Sequence, residues 1–216
     1  MPITNQNLIQ ESSSQPLTKQ QLKLKRWENV LWYLNRLDYL ATSQIESLKL
    51  TGGKRNTLRI LSDMEESKLI SSFVMDEKVF YLAAAGRKLI GSEKIRKRTP
   101  NVPHFLMRND VYLYYRPVAW HAEQPFQWHN ETIIPDAYFI KNNQHFFLEV
   151  DRCQSMTKNE DKIKSYRSLK DSGLFQKNYG AFPTILFVTT SEHRQKRLRA
   201  LLDGLKAEVL MLDAVK

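Results

Sequence analysis

Residues 42–67 read TSQIESLKLTGGKRNTLRILSDMEES, and this stretch decides how the first half of the chain folds. Leu50-Thr51-Gly52-Gly53 is a turn, because adjacent glycines do not belong inside a helix. Ahead of it, Thr42 or Ser43 is placed to cap a short helix ending near Leu48. Behind it, the spacing predicts a helix over about Lys54–Ser67, with Leu58, Leu61 and Met64 inward and Lys54, Arg55, Asn56 and Arg59 at its exposed N-terminal end. Upstream, Trp27, Val30, Leu31, Leu34 and Leu37 recur at three- and four-residue spacing, the stripe of a helix over Lys19–Leu37. Downstream the period changes. Leu69–Met75 and Val79–Leu82 read as strands, Asp76-Glu77-Lys78 as the turn joining them into a hairpin, and Ala83–Ile90 as a small helix ending at Gly91. Helix, short helix, turn, helix, hairpin is the order of a winged helix-turn-helix.

In that motif the helix after the turn lies in the major groove, and its first residues meet base edges. Here those residues are Lys54, Arg55, Asn56 and Thr57, with Arg59 one turn on. Arg suits guanine and Asn suits adenine through paired hydrogen bonds, while Lys and Thr commonly contact phosphate. The hairpin would follow the backbone with Lys78 as its contact, and Arg87 and Lys88 would add phosphate contacts. Double-stranded DNA is the expected partner; a winged helix used for protein contacts is the alternative.

Charge distribution agrees with a polyanion partner. The 216 residues carry a net charge of +10. Residues 1–100 hold 17 Lys+Arg against 10 Asp+Glu, a net +7, and residues 101–216 hold 16 against 13, a net +3. Hydrophobic residues at 42% and aromatics at 11% suffice for a packed core, and the length suits compact domains of about 100 residues each. Cys153 is the only cysteine, which leaves no intramolecular disulfide and no cysteine zinc site. The histidines lack metal-ligand spacing, and no glycine-rich phosphate loop is present. No apolar run reaches the ~20 residues of a membrane helix, and residues 1–20 lack the pattern of a secretory signal. A cytoplasmic protein without membrane contact is expected.

The basic run Lys94–Arg98, followed by Thr99-Pro100 and Pro103, marks a boundary. The expected organisation is a disordered tail over 1–17, a winged helix-turn-helix over 18–93, a basic linker over 94–102 and an α/β domain over 103–216. The last should comprise a helix about His104–Tyr115 and strands around Val118–Ala122, Ile133–Ile140 and His145–Val150. A helix Asn159–Asp171, a strand Thr184–Thr190, a helix Glu192–Leu205 and a strand Glu208–Leu212 follow. The fold class is thus α+β and α/β, with a mixed central sheet in the second half.

Within it, Asp136 follows Pro135, and Glu149 and Asp151 stand at i and i+2 of one strand and so share a face. The hairpin through Lys141–Gln144 brings Asp136 toward them. Carboxylates converging at a sheet end are what a divalent-metal phosphodiester hydrolase needs, as oxygen ligands for Mg²⁺ or Mn²⁺. Asp110 on the preceding helix is a further candidate ligand. The alternative is a polar network that only stabilises the sheet. Three carboxylates together raise one another's pKa, so a metal or nearby lysines must offset them.

Ile134-Pro135-Asp136-Ala137, a hairpin, then Leu148-Glu149-Val150-Asp151-Arg152 resembles the PD-(D/E)xK nuclease signature, and the element order across 104–212 is similar too. A winged helix joined to PDA, LEVDR and a downstream KIKSY resembles the replication-relaxation family, from about residue 25 onward. That resemblance implies an accessory or regulatory protein of a plasmid or conjugative element, serving its replication, relaxation, mobilisation or transcriptional control. It would act as a homodimer, beside a relaxase or replication protein. The chain departs from the nuclease pattern at the last motif position, where Asp151 stands in place of lysine. A cation has become an anion, so the nuclease-like domain is expected to be non-catalytic. Lysines of the next helix, Lys158, Lys162 or Lys164, are the substitutes available. An active endonuclease would use Asp136, Glu149, Asp151 and Lys162 with Mg²⁺ or Mn²⁺. A ligand-responsive transcriptional repressor is the third reading.

Overall fold

The computed structural model describes residue 16 and residues 18–216, so the tail expected over 1–17 lies, apart from Pro16, outside the described residues. Helix α1 (Lys19–Leu37) is capped by Thr18, whose hydroxyl accepts from the Gln21 amide at 3.2 Å while the Gln21 side chain accepts from the Thr18 amide at 2.9 Å. Its stripe of Val30, Leu31, Leu34 and Leu37 is buried. Strand β1 (Leu40–Ala41) then leads into α2 (Thr42–Ser47). Thr42 is therefore already helical, and Glu77 of the later hairpin, not a local cap, satisfies the Ser43 amide. Gly52 turns the chain at φ +90°, a conformation that glycine adopts without steric cost. Helix α3 (Lys54–Glu66) buries Thr57, Ile60, Leu61 and Met64. β2 (Ile70–Val74) and β3 (Lys78–Leu82) form the expected antiparallel hairpin, and β1 pairs with the other edge of β3. Helix α4 (Ala84–Leu89) closes this half.

The second half begins with α5 (Val102–Tyr115) and β4 (Ala119–Ala122), then a small hairpin of β5 (Phe126–Trp128) and β6 (Glu131–Ile133). β7 (Ala137–Lys141), β8 (Gln144–Asp151), α6 (Met156–Asp171), α7 (Leu174–Tyr179), β9 (Thr184–Thr189), α8 (Glu192–Leu201) and β10 (Ala207–Met211) follow, with a 3-10 turn at Leu212–Val215. The main sheet runs β10-β9-β8-β7-β4, parallel among β8, β9 and β10 and antiparallel among β8, β7 and β4. Eight α-helices and a mixed five-stranded sheet among the described residues give the mixed α and β class expected. The strand expected over Ile133–Ile140 is broken: Ile133 ends β6, and Pro135-Asp136 lead into β7.

Strand β8 lies at the sheet's centre and is buried on both faces. Phe146, Leu148 and Val150 join the cluster that holds Met107 and Val111 of α5, while Phe147 faces Ile163, Tyr166 and Phe175 under α6 and α7. The first cluster continues without interruption into Leu31, Leu34, Ile60 and Met64, so the core passes from one half to the other. Polar contacts reinforce that seam. Arg108, 1% exposed, places Nη2 at 2.8 Å from Asp38 Oδ2, and Asn109 Nδ2 donates to the Leu37 and Tyr39 carbonyls at 3.1 and 2.6 Å. Two cations of the stretch read as a basic linker, Lys94 and Arg96, also close on Asp38, at 3.4 and 2.8 Å.

Candidate functional site

The head of α3 presents Lys54, Arg55 and Arg59 to solvent. Leu58 stands among them at 47% exposure, which corrects its expected inward direction. Thr57 is the residue that turns in. It is fully buried, with its hydroxyl 2.5 Å from that of Thr51, so it is not available to DNA. Asn56 is half-buried: its side-chain amide donates to the Thr51 carbonyl, and its oxygen accepts from Arg59 Nη2 at 2.9 Å. These bonds hold Asn56 and Arg59 in one orientation.

The hairpin differs from the expected wing contact. Its tip is acidic, and Glu77 accepts from the Ser43 amide and hydroxyl at 2.8 and 2.6 Å, which folds the tip onto α2. Lys78 Nζ is 2.5 Å from Glu65 of α3, and Ser72 donates to the same carboxylate. The charge expected to meet a phosphate is thus paired within the protein. Arg87 is half-buried against the Leu82 carbonyl at 3.4 Å, whereas Lys88 is exposed.

The carboxylates of the second half divide into two arrangements. Glu149 is buried on the α6 side of β8, where Lys162 Nζ and Tyr166 Oη both donate to it at 2.5 Å. These donors stand four residues apart on α6 and so share a face. Asp136, just before β7, accepts from the Val150 amide at 2.6 Å and lies 3.3 Å from His104 Nε2. Burial pushes the Glu149 carboxyl up, to about 8, against the lowering effect of Lys162, and Asp136 adds to the rise. Burial also works on Asp136, but the His104 hydrogen bond, the Lys162 charge and the Val150 amide outweigh it and hold that carboxyl below its ordinary value. Lys162 is kept protonated, against burial, by Glu149 and Asp136.

Asp151 belongs to a separate clamp. Arg194 grips it with Nε at 2.7 Å from Oδ2 and Nη2 at 2.5 Å from Oδ1, while Asn159 and Thr189 donate at 2.8 and 2.9 Å. Burial raises this carboxyl, and these hydrogen bonds, Arg194 first, bring it below its ordinary value. Asp110 is elsewhere again, bonded to Gln44 in a cavity by the hairpin tip. Three carboxylates therefore do not converge, and among the described residues no group of three or more His, Cys, Asp or Glu side chains is arranged to hold a metal ion. The oxygens of Asp136 and Glu149 already face an amide, an imidazole, an ammonium and a phenol, a set that does not fit Mg²⁺ or Mn²⁺. Lys158 and Lys164 are exposed and play no part in the cluster.

A family model described as replication-relaxation matches residues 31–185, well over half of the chain. The chain belongs to the replication-relaxation family. Membership points to a replication- or relaxation-related role. Among solved structures, protein VC1899 of Vibrio cholerae is similar over 93% of this chain and 55% of its own, at 15% identity and a TM-score of 0.37. Can2 of Sulfobacillus thermosulfidooxidans, solved with cyclic tetra-adenylate, is similar over 87% of this chain and 50% of its own, at 13% identity and a TM-score of 0.32. The chain spans about half the length of each of these structures. No curated protein sequence matches it significantly. No helix among the described residues is long and apolar enough to cross a membrane.

Proposed function

We propose that this replication-relaxation protein binds double-stranded DNA through the outer face of α3, as an accessory or regulatory protein of a plasmid or conjugative element. One observation carries the reading: Lys54, Arg55, Leu58 and Arg59 share the exposed head of a helix that follows a glycine turn from α2. Two guanidiniums suit guanine edges and phosphates, and the leucine suits a thymine methyl. The hairpin after α3 supports a winged helix-turn-helix, with its tip folded inward and not laid along the backbone. The second half then serves a non-catalytic purpose. Its missing motif lysine is answered twice, by Lys162 on Glu149 and by Arg194 on Asp151, and both cations close on carboxyl oxygens.

The test is a gel-shift series with duplexes from the element's origin and promoter regions at moderate salt, alongside sedimentation to show whether the bound species is a dimer. Arg55→Ala with Arg59→Ala should weaken specific binding by roughly 1–3 kcal/mol per lost base contact and relax base preference. Unchanged affinity would reject α3 as the reading helix. Metal-dependent cutting of DNA that disappears in Asp136→Asn would replace the non-catalytic reading with that of a nuclease.

A further inference from the structure

We propose that the cavity at the seam between the two halves binds a small zwitterion with an apolar body, of the chemical class of a short apolar peptide. The cavity measures about 880 Å³, within the ~300–1,000 Å³ of small-molecule sites, which favour seams of this kind. Both halves build it. α2 and the hairpin tip form one wall, and α5 with the 3-10 turn at Leu212–Val215 forms the other. Leu106, Met107, Leu113 and Val215 supply apolar lining, enough to shelter the body of a ligand but not to explain the charges around it.

Asp110 is the group that asks for a partner. Its Oδ1 accepts from Gln44 Nε2 at 2.6 Å, and its Oδ2 has no donor among the described residues. Burial pushes this carboxyl above its ordinary value, and the Gln44 bond and the Lys216 charge only partly offset that. An ammonium brought into the cavity would give Oδ2 a charge-assisted hydrogen bond, stronger than a neutral one. Ser43 holds both oxygens of Glu77, so among the carboxylates lining the cavity Asp110 and the exposed Asp76 are left to receive the ammonium. Arg116 and Arg152 also line the cavity and suit an anionic end. Arg116 spends only Nη2 on the Ser47 carbonyl, at 3.1 Å, which leaves the rest of its guanidinium for a carboxylate. The site stands whether or not α3 reads DNA, since none of the residues at the head of α3 lines it.

The test uses leucyl-phenylalanine, its N-acetyl derivative and its C-terminal amide, titrated calorimetrically against the whole chain. The dipeptide should bind, the amide several-fold more weakly and the acetylated form at least tenfold more weakly. Asp110→Asn keeps the Gln44 partner and should bring the dipeptide down to the level of the acetylated form. Ser47→Trp, an exposed α2 residue on the cavity wall, should abolish binding of all three without changing the melting temperature. The proposal is overturned by absence of dipeptide binding, by equal affinity for the three ligands, or by full affinity in Ser47→Trp. Equal affinity in folded Asp110→Asn overturns it as well; should that variant not fold, the ligand series and Ser47→Trp decide.

Discussion

At the scale of single residues, Glu149 is a carboxyl whose chemistry departs far from its ordinary behaviour. Burial sets its carboxyl at about 8, whereas a free glutamate titrates near ~4.3. Between those limits the folded protein holds a proton that the unfolded chain has released, so stability falls as pH rises from about 5 toward 8. Glu149→Gln keeps the shape and removes the titration. Wild type should lose melting temperature across that range, and the variant should lose distinctly less. A parallel decline in both would mean that Lys162 and Tyr166 keep Glu149 ionised in the fold. Asp136 and Asp151 act in the opposite direction: their lowered carboxyls contribute stability that is lost as pH falls through the acid range. How much of this site the sequence discloses follows from distance along the chain. Asp136, Glu149 and Asp151 are visible because strand alternation and a short hairpin connect them. Lys162 with Tyr166 is visible as a four-residue step in KIKSY, although only the lysine draws attention. Arg194 and His104 are not visible, because nothing local ties α8 or the start of α5 to β8. The sequence thus supplies the anions but not all of their counter-charges, and without those it suggests a metal.

Among the elements, those with a sustained apolar period were legible, namely α1, α3, the β2–β3 hairpin, α5, β8 and β9. β1 has two residues and β5 and β6 have three each, too few to show a period at all. α3 shows a subtler limit. Leu58, Leu61 and Met64 step by three and drift round the helix, whereas the buried set Thr57, Ile60, Leu61 and Met64 keeps one face. A threonine holds an inward position because Thr51 meets its hydroxyl, and that pairing belongs to the turn rather than to the helical pattern. α4 depends on a close approach of a different kind. A Cβ at Gly86 would stand 2.0 Å from the Leu69 carbonyl oxygen and 3.2 Å from Leu31. Gly86→Ala must therefore push α4 off the start of the hairpin, at a cost of about 1–3 kcal/mol or more. Chemical denaturation should show this as a lower midpoint. An unchanged midpoint would mean that α4 moves without resistance.

At the scale of the whole molecule, the seam decides how the two halves respond to stress. The apolar cluster shared by α1, α3, α5 and β8 runs from one half into the other, so they should unfold in one transition. Asp38 is the electrostatic pivot of that seam: it is buried, and Arg108, Arg96 and Lys94 all converge on it. Its φ of +72° makes asparagine the fair replacement, since asparagine tolerates that conformation and changes only the charge. Asp38→Asn leaves the buried guanidinium of Arg108 with only the exposed Glu123 carboxylate, 4.0 Å away, as an anion, and loss of a buried pair costs about 3–5 kcal/mol. Arg108→Met should cost less, because Asp38 keeps Arg96 and Lys94 and an apolar chain fills the space. Calorimetry with hydrogen exchange on the α3 and β8 amides separates the outcomes. Both regions should exchange with the same free energy, and Asp38→Asn should lower both together. If that variant loosened α3 while β8 kept its protection, the halves would be independent folding units joined by a surface contact, and the shared core would not be what couples them.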